Sequence, residues 1–286
     1  MAGVPKTVKS GSIVMDAVRA ADHDQYLSAL YAPADKRDAL FSLYAFNAEL
    51  AGVRDRIHEP LPGEVRLQWW RDAIAGGAET GNPIADALGA TIAANGLPKA
   101  AFDNMLEARI FDLYDDPMPS RTDLEGYCGE TAAALIQLAA IVLDPVAAPD
   151  FAELAGRAGC AQAMTGLLLL LPLHRRRGQC FIPADILAAA GTSPEAFVKG
   201  EDEAAAKRAV AAMIALAREH LNAFEKAAPT LAVALRPAFL PLALTRAYLD
   251  KMEKAGPSPL GTTVKLSTIG RHWVLLRHAM RGWAAL

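Results

Sequence analysis

The spacing of apolar residues is the feature that most constrains the fold of this chain. They recur every three to four positions in almost every segment long enough to judge, and many are alanine or leucine. This spacing lines one face of a helix, whereas a half-buried strand needs strict alternation. Runs of alternating β-branched residues closed by Asn-Gly or Asp-Gly turns are missing. The sequence therefore predicts an all-α fold.

The 286-residue chain begins with a short stretch that differs from the rest. Residues 1–15 contain Lys6 and Lys9 but no apolar segment of signal-peptide length, so we interpret them as a mobile N-terminal tail. No low-complexity linker or repeat of fixed period divides residues 16–286, which are predicted to form one helical domain. The longest apolar run, residues 167–173, is far below the roughly 20 residues that span a bilayer. We expect a soluble or peripheral protein.

Charge and cysteine content exclude several classes of protein. The formal net charge of −3 gives no overall attraction for phosphate, so nucleic acid is not an expected partner. Cys128, Cys160 and Cys180 are odd in number and widely spaced, which fits neither a disulfide framework nor a paired zinc knuckle. The six histidines include no i, i+4 pair, so no metal site is expected from them. A reducing, cytoplasmic location is the simplest interpretation.

Helix boundaries follow from caps and from proline and glycine clusters. Residues 25–31 are predicted to form a helix that stops at Pro33, and Asp35 is a candidate N-cap for the next helix, which carries Leu40 and Leu43. Further helices are predicted at residues 64–75, 84–95, 99–114, 124–143, 151–171, 203–227, 239–254 and 265–285.

Four blocks of sequence resemble the squalene/phytoene synthase family in order and in spacing. They are LYAPADKRDALFSLYAFNAEL from Leu30, GEVRLQWWRDAI from Gly63, YCGETAAALIQLA from Tyr127 and RRGQCFIPADIL from Arg176. Several separated blocks in one order are much more specific than a single motif. The resemblance covers about residues 22–250 and implies an isoprenoid-synthase-type helical bundle around a central cavity.

Enzymes of this family carry two aspartate motifs, a DDxxD type after the LYAF segment and a DxxxD before RRGRxYLP. Carboxylates at i and i+4 lie on one helix face, roughly 5–6 Å apart, and can hold magnesium ions that bind a substrate diphosphate. The ions offset the charge of the departing pyrophosphate while an allylic cation forms. The resemblance therefore implies magnesium chemistry only where these acids are present.

The acids are largely missing when the family motifs are laid on this sequence without gaps. The first motif falls on residues 51–55, where only Asp55 has a carboxylate. The second motif, counted back from Pro183, falls on residues 170–174, which contain no acid and end at His174. One carboxylate is a poor magnesium site, because the ion prefers an octahedron of oxygen ligands. We therefore expect both magnesium motifs to be lost and no metal or other cofactor to be bound.

Residues that remain at or near the family's motifs are the candidate substrate-binding residues. No catalytic residue is assigned, since Asp55 is the one acid left at a motif position. Phe181 keeps the ring of the family's tyrosine but not its hydroxyl. The candidates are Tyr44, Arg66, Gln68, Arg71, Tyr127, Thr165, His174, Arg176, Arg177 and Phe181.

The first functional hypothesis is a non-catalytic factor that binds a lipid or a protein. A diphosphate brings several negative charges into an apolar cavity, and unpaired buried charge costs several kcal/mol. A subgroup of the family, the mitochondrial complex I assembly factor of squalene/phytoene synthase type and bacterial proteins like it, resembles this chain in having AFN and EL where the enzymes begin their acidic motif. That resemblance implies a respiratory-complex protein as partner and a place at the periphery of the inner membrane. A prenyl lipid or an anionic lipid is the alternative ligand.

The second hypothesis is a working head-to-head prenyl diphosphate transferase, a phytoene or squalene synthase in isoprenoid biosynthesis. It requires magnesium and acids from outside the motif positions, such as Asp72 or Glu49 acting with Asp55. Carboxylates that converge on a common point would favour this hypothesis.

Three features of the sequence each allow two interpretations. The cluster of Arg175, Arg176 and Arg177 can bind phosphate or an acidic partner, or it can be a solvated helix end with little effect on stability. Trp69 and Trp70 can line a prenyl cavity or a docking surface, or both can pack in the core; because adjacent side chains on a helix point in different directions, we expect one in the core and one near an edge.

The third feature is the C-terminal helix, which combines basic residues with large apolar ones. Arg271, Arg277 and Arg281 alternate with Trp273 and Met280, among others. Such a helix can rest on an anionic membrane, or it can pack against the bundle.

Overall fold

The computed structural model describes residues 6–57, 59–77, 79–255 and 264–283, with side chains from residue 11 onward. These ranges are helical and contain no strand, which confirms the predicted all-α class. The helices of the first 110 residues are α1 Lys6–Ala21, α2 His23–Ala29, α3 Arg37–Ala51, α4 Val53–Arg56, α5 Pro60–Gly76, α6 Pro83–Asn95 and α7 Lys99–Ile110. Those that follow are α8 Arg121–Cys128, α9 Ala134–Leu143, α10 Ala152–Leu169, α11 Leu171–Arg176, α12 Ala184–Ala189, α13 Pro194–Lys199, α14 Glu203–Ala227, α15 Arg236–Phe239, α16 Ala243–Lys254 and α17 Thr268–Arg281.

Contacts between residues divide the chain into two compact units, each made of three segments. Unit 1 consists of Met1–Tyr114, Ala134–Ala152 and Ala232–Ala238, and unit 2 consists of Asp115–Ala133, Glu153–Leu231 and Phe239–Leu286. Of the expected tail, residues 6–15 lie in α1, and residues 1–5 lie outside the described residues. The division into a tail and one domain stays a prediction.

Unit 1 is organised around α3, against which α1, α6 and α9 pack. Phe46 of α3 is fully buried, as are Trp70 of α5 and Phe102 of α7. The ring of Phe46 meets the ring of Trp70 edge-on at 5.2 Å between centroids and the ring of Phe102 at 5.6 Å. Edge-to-face pairs of this kind stabilise a core beyond the area that they bury. This aromatic triad is the centre of unit 1.

Unit 2 contains the longest helix, α14, which packs against α12 and α16. Its buried residues include Val210, Met213, Ala217, Leu221 and Phe224, at the three- and four-residue steps of a helix face. The helix starts where Asp202 accepts a hydrogen bond from the backbone N–H of Ala205 at 2.9 Å. Helix α17 of the same unit packs on α16.

The predicted cap of α3 was wrong. Asp35 lies in a 3-10 turn, Ala34–Lys36, whose first hydrogen bond runs from the Lys36 N–H to the Pro33 carbonyl at 3.0 Å. This turn leads directly into α3, which has Lys36 at its N-cap and no side-chain cap. The 3-10 turn continues directly into α3, so the backbone carbonyls of the turn stand where a capping side chain would otherwise accept hydrogen bonds. The Asp35 carboxylate is therefore not needed as a cap.

A π-helical turn, Gly129–Ala133, separates α8 from α9 and touches α10. A Cβ atom on Gly159 would lie 2.3 Å from the backbone N and 2.4 Å from the Cα of Ala133. Real Cβ atoms do not come this close to backbone, so only glycine permits the contact. The backbone of α10 thus rests directly on the π turn.

One helix in the described ranges, Arg121–Leu143, is long and apolar enough to cross a membrane by length and composition alone. It has 23 residues, and 50% of its most apolar window is buried within the protein. A buried core helix meets the same criteria, so this is weak evidence for a membrane span.

Candidate functional site

Four of the candidate residues lie in unit 1, and the first of them is Tyr44 on α3. Its side chain is buried, and its hydroxyl has no hydrogen-bond partner among the described residues. Burial, aided by the negative charge of Asp22, raises the pKa of Tyr44 far above its ordinary value. Tyr44 is therefore a neutral core residue of α3 whose hydroxyl remains a donor.

Arg66 on α5 is held by an aromatic ring and an acid. Its guanidinium carbon lies 4.4 Å from the centre of the Trp69 ring, and its Nη2 lies 3.4 Å from Oε2 of Glu49. The same carboxylate pairs with Nη1 of Arg56 at 3.0 Å. Glu49 is thus shared by two arginines, so its charge is compensated within unit 1.

Gln68 and Arg71 belong to a second group of side chains on α5. The Nε2 of Gln68 donates to Oδ1 of Asp72 at 2.7 Å, and Nη1 of Arg71 donates to Oε1 of Gln68 at 2.9 Å. Arg71 also pairs with Glu107 at 3.1 Å and lies 3.9 Å from Asp103. These contacts join α5 to α7, which gives Arg71 a structural role besides any role in binding.

Trp69 and Trp70 occupy different environments, as their adjacent positions on a helix predict. Trp70 is 0% exposed, whereas Trp69 is half-buried and stacks with Arg66. The prediction of one tryptophan in the core and one near an edge is confirmed.

The arrangement around Asp55 does not fit the magnesium geometry that the family resemblance implies. Helix α3 ends at Ala51, Gly52 follows as its C-cap, and Asp55 lies exposed on the separate short helix α4. Residues 51–55 therefore do not form one helix face with ligands at i and i+4. Of the other acids of the second hypothesis, Glu49 pairs with Arg56 and Arg66, and Asp72 accepts a hydrogen bond from Gln68. In the described ranges, no three His, Cys, Asp or Glu side chains group closely enough to hold a metal ion.

The other candidates lie in unit 2, where three aromatic side chains come together. The Phe181 ring is 4.6 Å from the His174 ring and 6.2 Å from the Tyr127 ring, measured between centroids. His174 and Phe181 are buried, and Tyr127 is half-buried. Two backbone hydrogen bonds fix the segment that carries Phe181: the Met118 N–H donates to the Cys180 carbonyl at 3.1 Å, and the Ala184 N–H donates to the Met118 carbonyl at 2.9 Å.

Thr165 does not extend this aromatic cluster with its hydroxyl. The hydroxyl donates to the Ala161 carbonyl one turn earlier in α10, at 2.8 Å. A threonine bonded in this way satisfies its donor within the helix. The structure therefore gives Thr165 a local contact, while its predicted role in binding stays a prediction.

The three arginines after His174 differ from one another, which corrects the interpretation of them as one cluster. Arg175 is half-buried, with its guanidinium carbon 5.5 Å from the centre of the Phe197 ring and its Nη2 donating to the Val198 carbonyl at 3.5 Å. A Cβ on Gly200 would lie 2.6 Å from that Nη2, and Gly200 has a φ of +75°. Through these contacts, the Arg175 side chain connects α11 to the end of α13.

Arg176 and Arg177 lie at the end of α11. Arg176 is exposed, and Arg177 is the C-cap, whose N–H donates to the His174 carbonyl at 2.9 Å. Cations at this end of a helix are favoured by the helix dipole. For Arg176 and Arg177, both predicted alternatives remain: a site for phosphate or an acidic partner, and a solvated helix end. Arg175 differs from them because it contacts α13.

Replacing Arg175 by alanine is expected to lower the free energy of unfolding by about 1–2 kcal/mol, because the contact with Phe197 and the packing of the aliphatic stem are lost. Arg176→Ala is the matched control and should stay within about 0.5 kcal/mol of the parent. Urea unfolding followed by circular dichroism measures both. Equal stability of the two variants would contradict a stabilising contact of Arg175 between α11 and α13.

Sequence reasoning missed a polar cluster around Glu125 of α8. The Nε2 of His220, on α14, lies 3.1 Å from Oε1 of Glu125, and Nε of Arg121 donates to the same oxygen at 2.8 Å. Arg121 also pairs with Glu219 at 2.8 Å. The i, i+4 spacing of Arg121 and Glu125 was a readable signal, but the approach of His220, 95 residues away, was not.

Next to this cluster lie two of the three buried cysteines. The Sγ of Cys160 is 3.9 Å from the Glu125 carbonyl oxygen, and a hydrogen bond from Cys128 lowers the pKa of the Cys160 thiol. Burial instead raises the pKa of Cys180 to about 11. The structure thus brings Cys128 and Cys160 together, which their wide spacing in the sequence does not predict.

Glu125 is expected to make the stability of the protein depend on pH in the acid range. Burial opposes ionisation of Glu125, but hydrogen bonds from Arg121 and His220 outweigh it, so the pKa of the carboxyl lies below its ordinary value of 4.5. A lowered pKa means that this stabilisation is present above pH 4.5 and is lost as the pH falls through the pKa of the folded protein. In Glu125→Gln, unfolding free energies measured from neutral pH to below this range should lose that part of the slope. Parallel curves for the two proteins would contradict the assignment.

Comparison with solved structures supports the fold. A squalene synthase from Alicyclobacillus acidocaldarius superposes with a TM-score of 0.73 at 19% identity, covering 88% of this chain and 97% of that chain. A dehydrosqualene synthase solved with a ligand gives a TM-score of 0.81 at 18% identity, covering 94% and 95%. These likenesses confirm the predicted isoprenoid-synthase-type helical fold.

Comparison of sequences gives a match to a family model and relatives that are named as assembly factors. The family model described as Squalene/phytoene synthase matches residues 18–270. The protein named NADH dehydrogenase (ubiquinone) complex I, assembly factor 6, is 28% identical in Bos taurus over 232 residues, which is 79% of this chain and 68% of that protein. The Homo sapiens protein of the same name is 28% identical over 229 residues, with the same coverage of 79% and 68%. The Drosophila melanogaster homolog is 27% identical over 202 residues, 66% of this chain and 59% of its own length.

Proposed function

Because the chain belongs to the squalene/phytoene synthase family, we propose that it is a non-catalytic member that helps a respiratory complex to assemble. The observation that carries the proposal is its similarity, over 79% of its length, to proteins named complex I assembly factor 6. A protein subunit or assembly intermediate of that complex is the proposed partner. The proposed location is the cytoplasmic side of the inner membrane, as a peripheral protein.

The geometry of unit 1 supports the non-catalytic part of the proposal. Magnesium shared between carboxylates and a diphosphate needs acids that face one point. Asp55 is exposed on α4, and Glu49 is engaged by Arg56 and Arg66. Without a metal, a diphosphate would carry its charge into an apolar interior at a cost of several kcal/mol. We therefore propose that neither magnesium nor another cofactor takes part in the function.

The aromatic cluster of unit 2 supports a role in binding. The flat apolar rings of Tyr127, His174 and Phe181, with the Tyr127 hydroxyl and the His174 ring nitrogens as polar groups, suit a lipid tail, a prenyl group or an apolar side chain of a partner. Because His174 and Phe181 are buried and Tyr127 is half-buried, we propose that the apolar group of the lipid or partner reaches this cluster past Tyr127, and that the exposed Arg176 takes part in recognition.

The assembly role is tested in a strain of the source organism from which the gene for this protein has been deleted. We expect membranes of the deletion strain to lose most of their rotenone-sensitive NADH oxidation and their assembled complex I, and the wild-type chain to restore both. Asp55→Asn should restore them equally, because the proposal gives the carboxylate no catalytic role. Normal complex I in the deletion strain would overturn the proposal.

Catalysis is tested separately with the purified protein. Incubation with farnesyl or geranylgeranyl diphosphate and magnesium, followed by lipid extraction, is expected to give no squalene or phytoene above a boiled control. Product that disappears in Asp55→Asn would instead establish the second hypothesis, a head-to-head prenyl diphosphate transferase that uses Asp55.

A further inference from the structure

Helix α17 carries an exposed apolar stripe that no other described element covers. Ile269, Trp273, Leu276 and Met280 are 84%, 66%, 40% and 73% exposed. At 100° per residue, these four side chains fall within about 60° of the helix circumference, along a length of about 16 Å. Scattered exposed apolar residues are common, but a continuous row on one helix face marks an interaction surface.

The opposite face of α17 fixes this orientation. Leu275 and His278 are buried, and Nη2 of Arg271 donates to the Tyr248 hydroxyl on α16 at 3.1 Å. The ring of His278 lies 5.5 Å from that of Trp283. Because one face is already packed on unit 2, the stripe cannot turn inward without breaking these contacts.

The charged residues of α17 and of the segment that leads into it have one sign. Residues 264–283 include Lys265, Arg271, His272, Arg277 and Arg281 and contain no acid. Arg277 and Arg281 are exposed and lie on the same side of the stripe, about 40° and about 80° beyond its edge on the helix circumference. Tryptophan, whose ring has an apolar body and a polar N–H, favours the boundary between lipid tails and headgroups.

We propose that α17 docks this protein on an anionic phospholipid bilayer, with the stripe Ile269, Trp273, Leu276 and Met280 at the level of the headgroups and Arg277 and Arg281 against lipid phosphates. An interfacial helix has this combination of an apolar face with flanking cations. A second copy of α17 is a poorer occupant, because the two cationic helices would repel each other. This inference names the surface that would hold the protein at the membrane location proposed above, and its test with vesicles does not depend on the assembly role.

Vesicle co-sedimentation of the full chain tests the proposal. We expect binding to vesicles of phosphatidylglycerol and phosphatidylcholine in equal parts and much weaker binding to phosphatidylcholine alone, with a decrease as salt is added. Trp273→Ser with Met280→Ser should weaken binding at least tenfold, because two side chains that enter the interface are removed. Arg277→Gln with Arg281→Gln should weaken binding to the anionic vesicles by about fivefold for each charge removed.

A matched control is available on α5, where Leu61 and Val65 are also exposed and stand four residues apart. Leu61→Ser with Val65→Ser should bind vesicles as the parent does, and circular dichroism melts should show that all variants are folded. Failure of the parent to bind anionic vesicles would overturn the proposal and leave an acidic protein surface as the occupant. Equal binding by the parent and both α17 variants would overturn it as well.

Discussion

Replacing Trp70 by alanine is expected to lower the free energy of unfolding by about 3–5 kcal/mol, among the largest effects of any single side chain in unit 1. Trp70 is completely buried, and its ring meets Phe46 edge-on at 5.2 Å, so truncation leaves a cavity lined by rings that cannot collapse into it. Equilibrium unfolding in urea, followed by circular dichroism, measures the change.

Trp69→Ala is the control for this prediction, since it removes the same side chain from the neighbouring position. The half-buried Trp69 stacks with Arg66 at 4.4 Å, and its removal should cost about 1 kcal/mol. Similar losses in the two variants would mean that the helix is rotated relative to the arrangement described for unit 1.

Replacing Gly159 by leucine is expected to unfold unit 2 or to lower its stability by more than about 4 kcal/mol. The Cβ atom alone would lie 2.3 Å from the backbone N of Ala133, and backbone cannot move aside as a flexible side chain can. Even Gly159→Ala should be clearly destabilised, in spite of the better helix propensity of alanine. Thermal and urea unfolding test both variants.

Gly156, one turn earlier in α10, provides the matched control. A Cβ atom there meets nothing within 4 Å. Gly156→Ala should therefore leave the fold intact and raise stability by up to about 1 kcal/mol, because alanine favours the helix and restricts the unfolded chain. If Gly156→Ala and Gly159→Ala behaved alike, the close contact with Ala133 would be refuted.

Long periodic helices were predictable from sequence with good boundaries. The prediction of residues 203–227 coincides with α14, because a regular apolar face follows a strong N-cap, Asp202. The prediction of 84–95 differs from α6 by one residue at its start. In such segments, the capping residue and the pattern of buried residues favour the same helix with the same boundaries.

Short helices were not predictable, because they depend on contacts distant in sequence. Helices α11 and α13 have six residues each, too few for a periodic pattern. Arg175 connects them through Phe197 and Val198, and no local signal announces that contact. The predicted helix at 265–285 is shorter in the structure. It begins at Thr268, where the Ser267 hydroxyl accepts a hydrogen bond from the Gly270 N–H, and ends at Arg281, with Gly282 as its C-cap; residues 284–285 lie outside the described ranges.

The candidate site was predictable by residue type but not by arrangement. The resemblance selected Tyr127, His174 and Phe181, and the structure brings these three rings together. It did not indicate that Arg66 would be held by Glu49 or that His220 would reach Glu125. Ion pairs of this kind follow from packing of separate helices, which the sequence pattern of each helix does not specify.

The π turn at Gly129–Ala133 has a consequence for evolutionary comparison. A π turn holds one residue more than an α-helical turn over the same rise, so it marks the place where a single-residue insertion can enter a helix without breaking it. Relatives with a regular helix here would need a one-residue gap between Cys128 and Ala134. Residue roles transferred from such relatives therefore have to be counted separately on each side of this turn, and deletion of one residue within it should convert the turn into a regular helix.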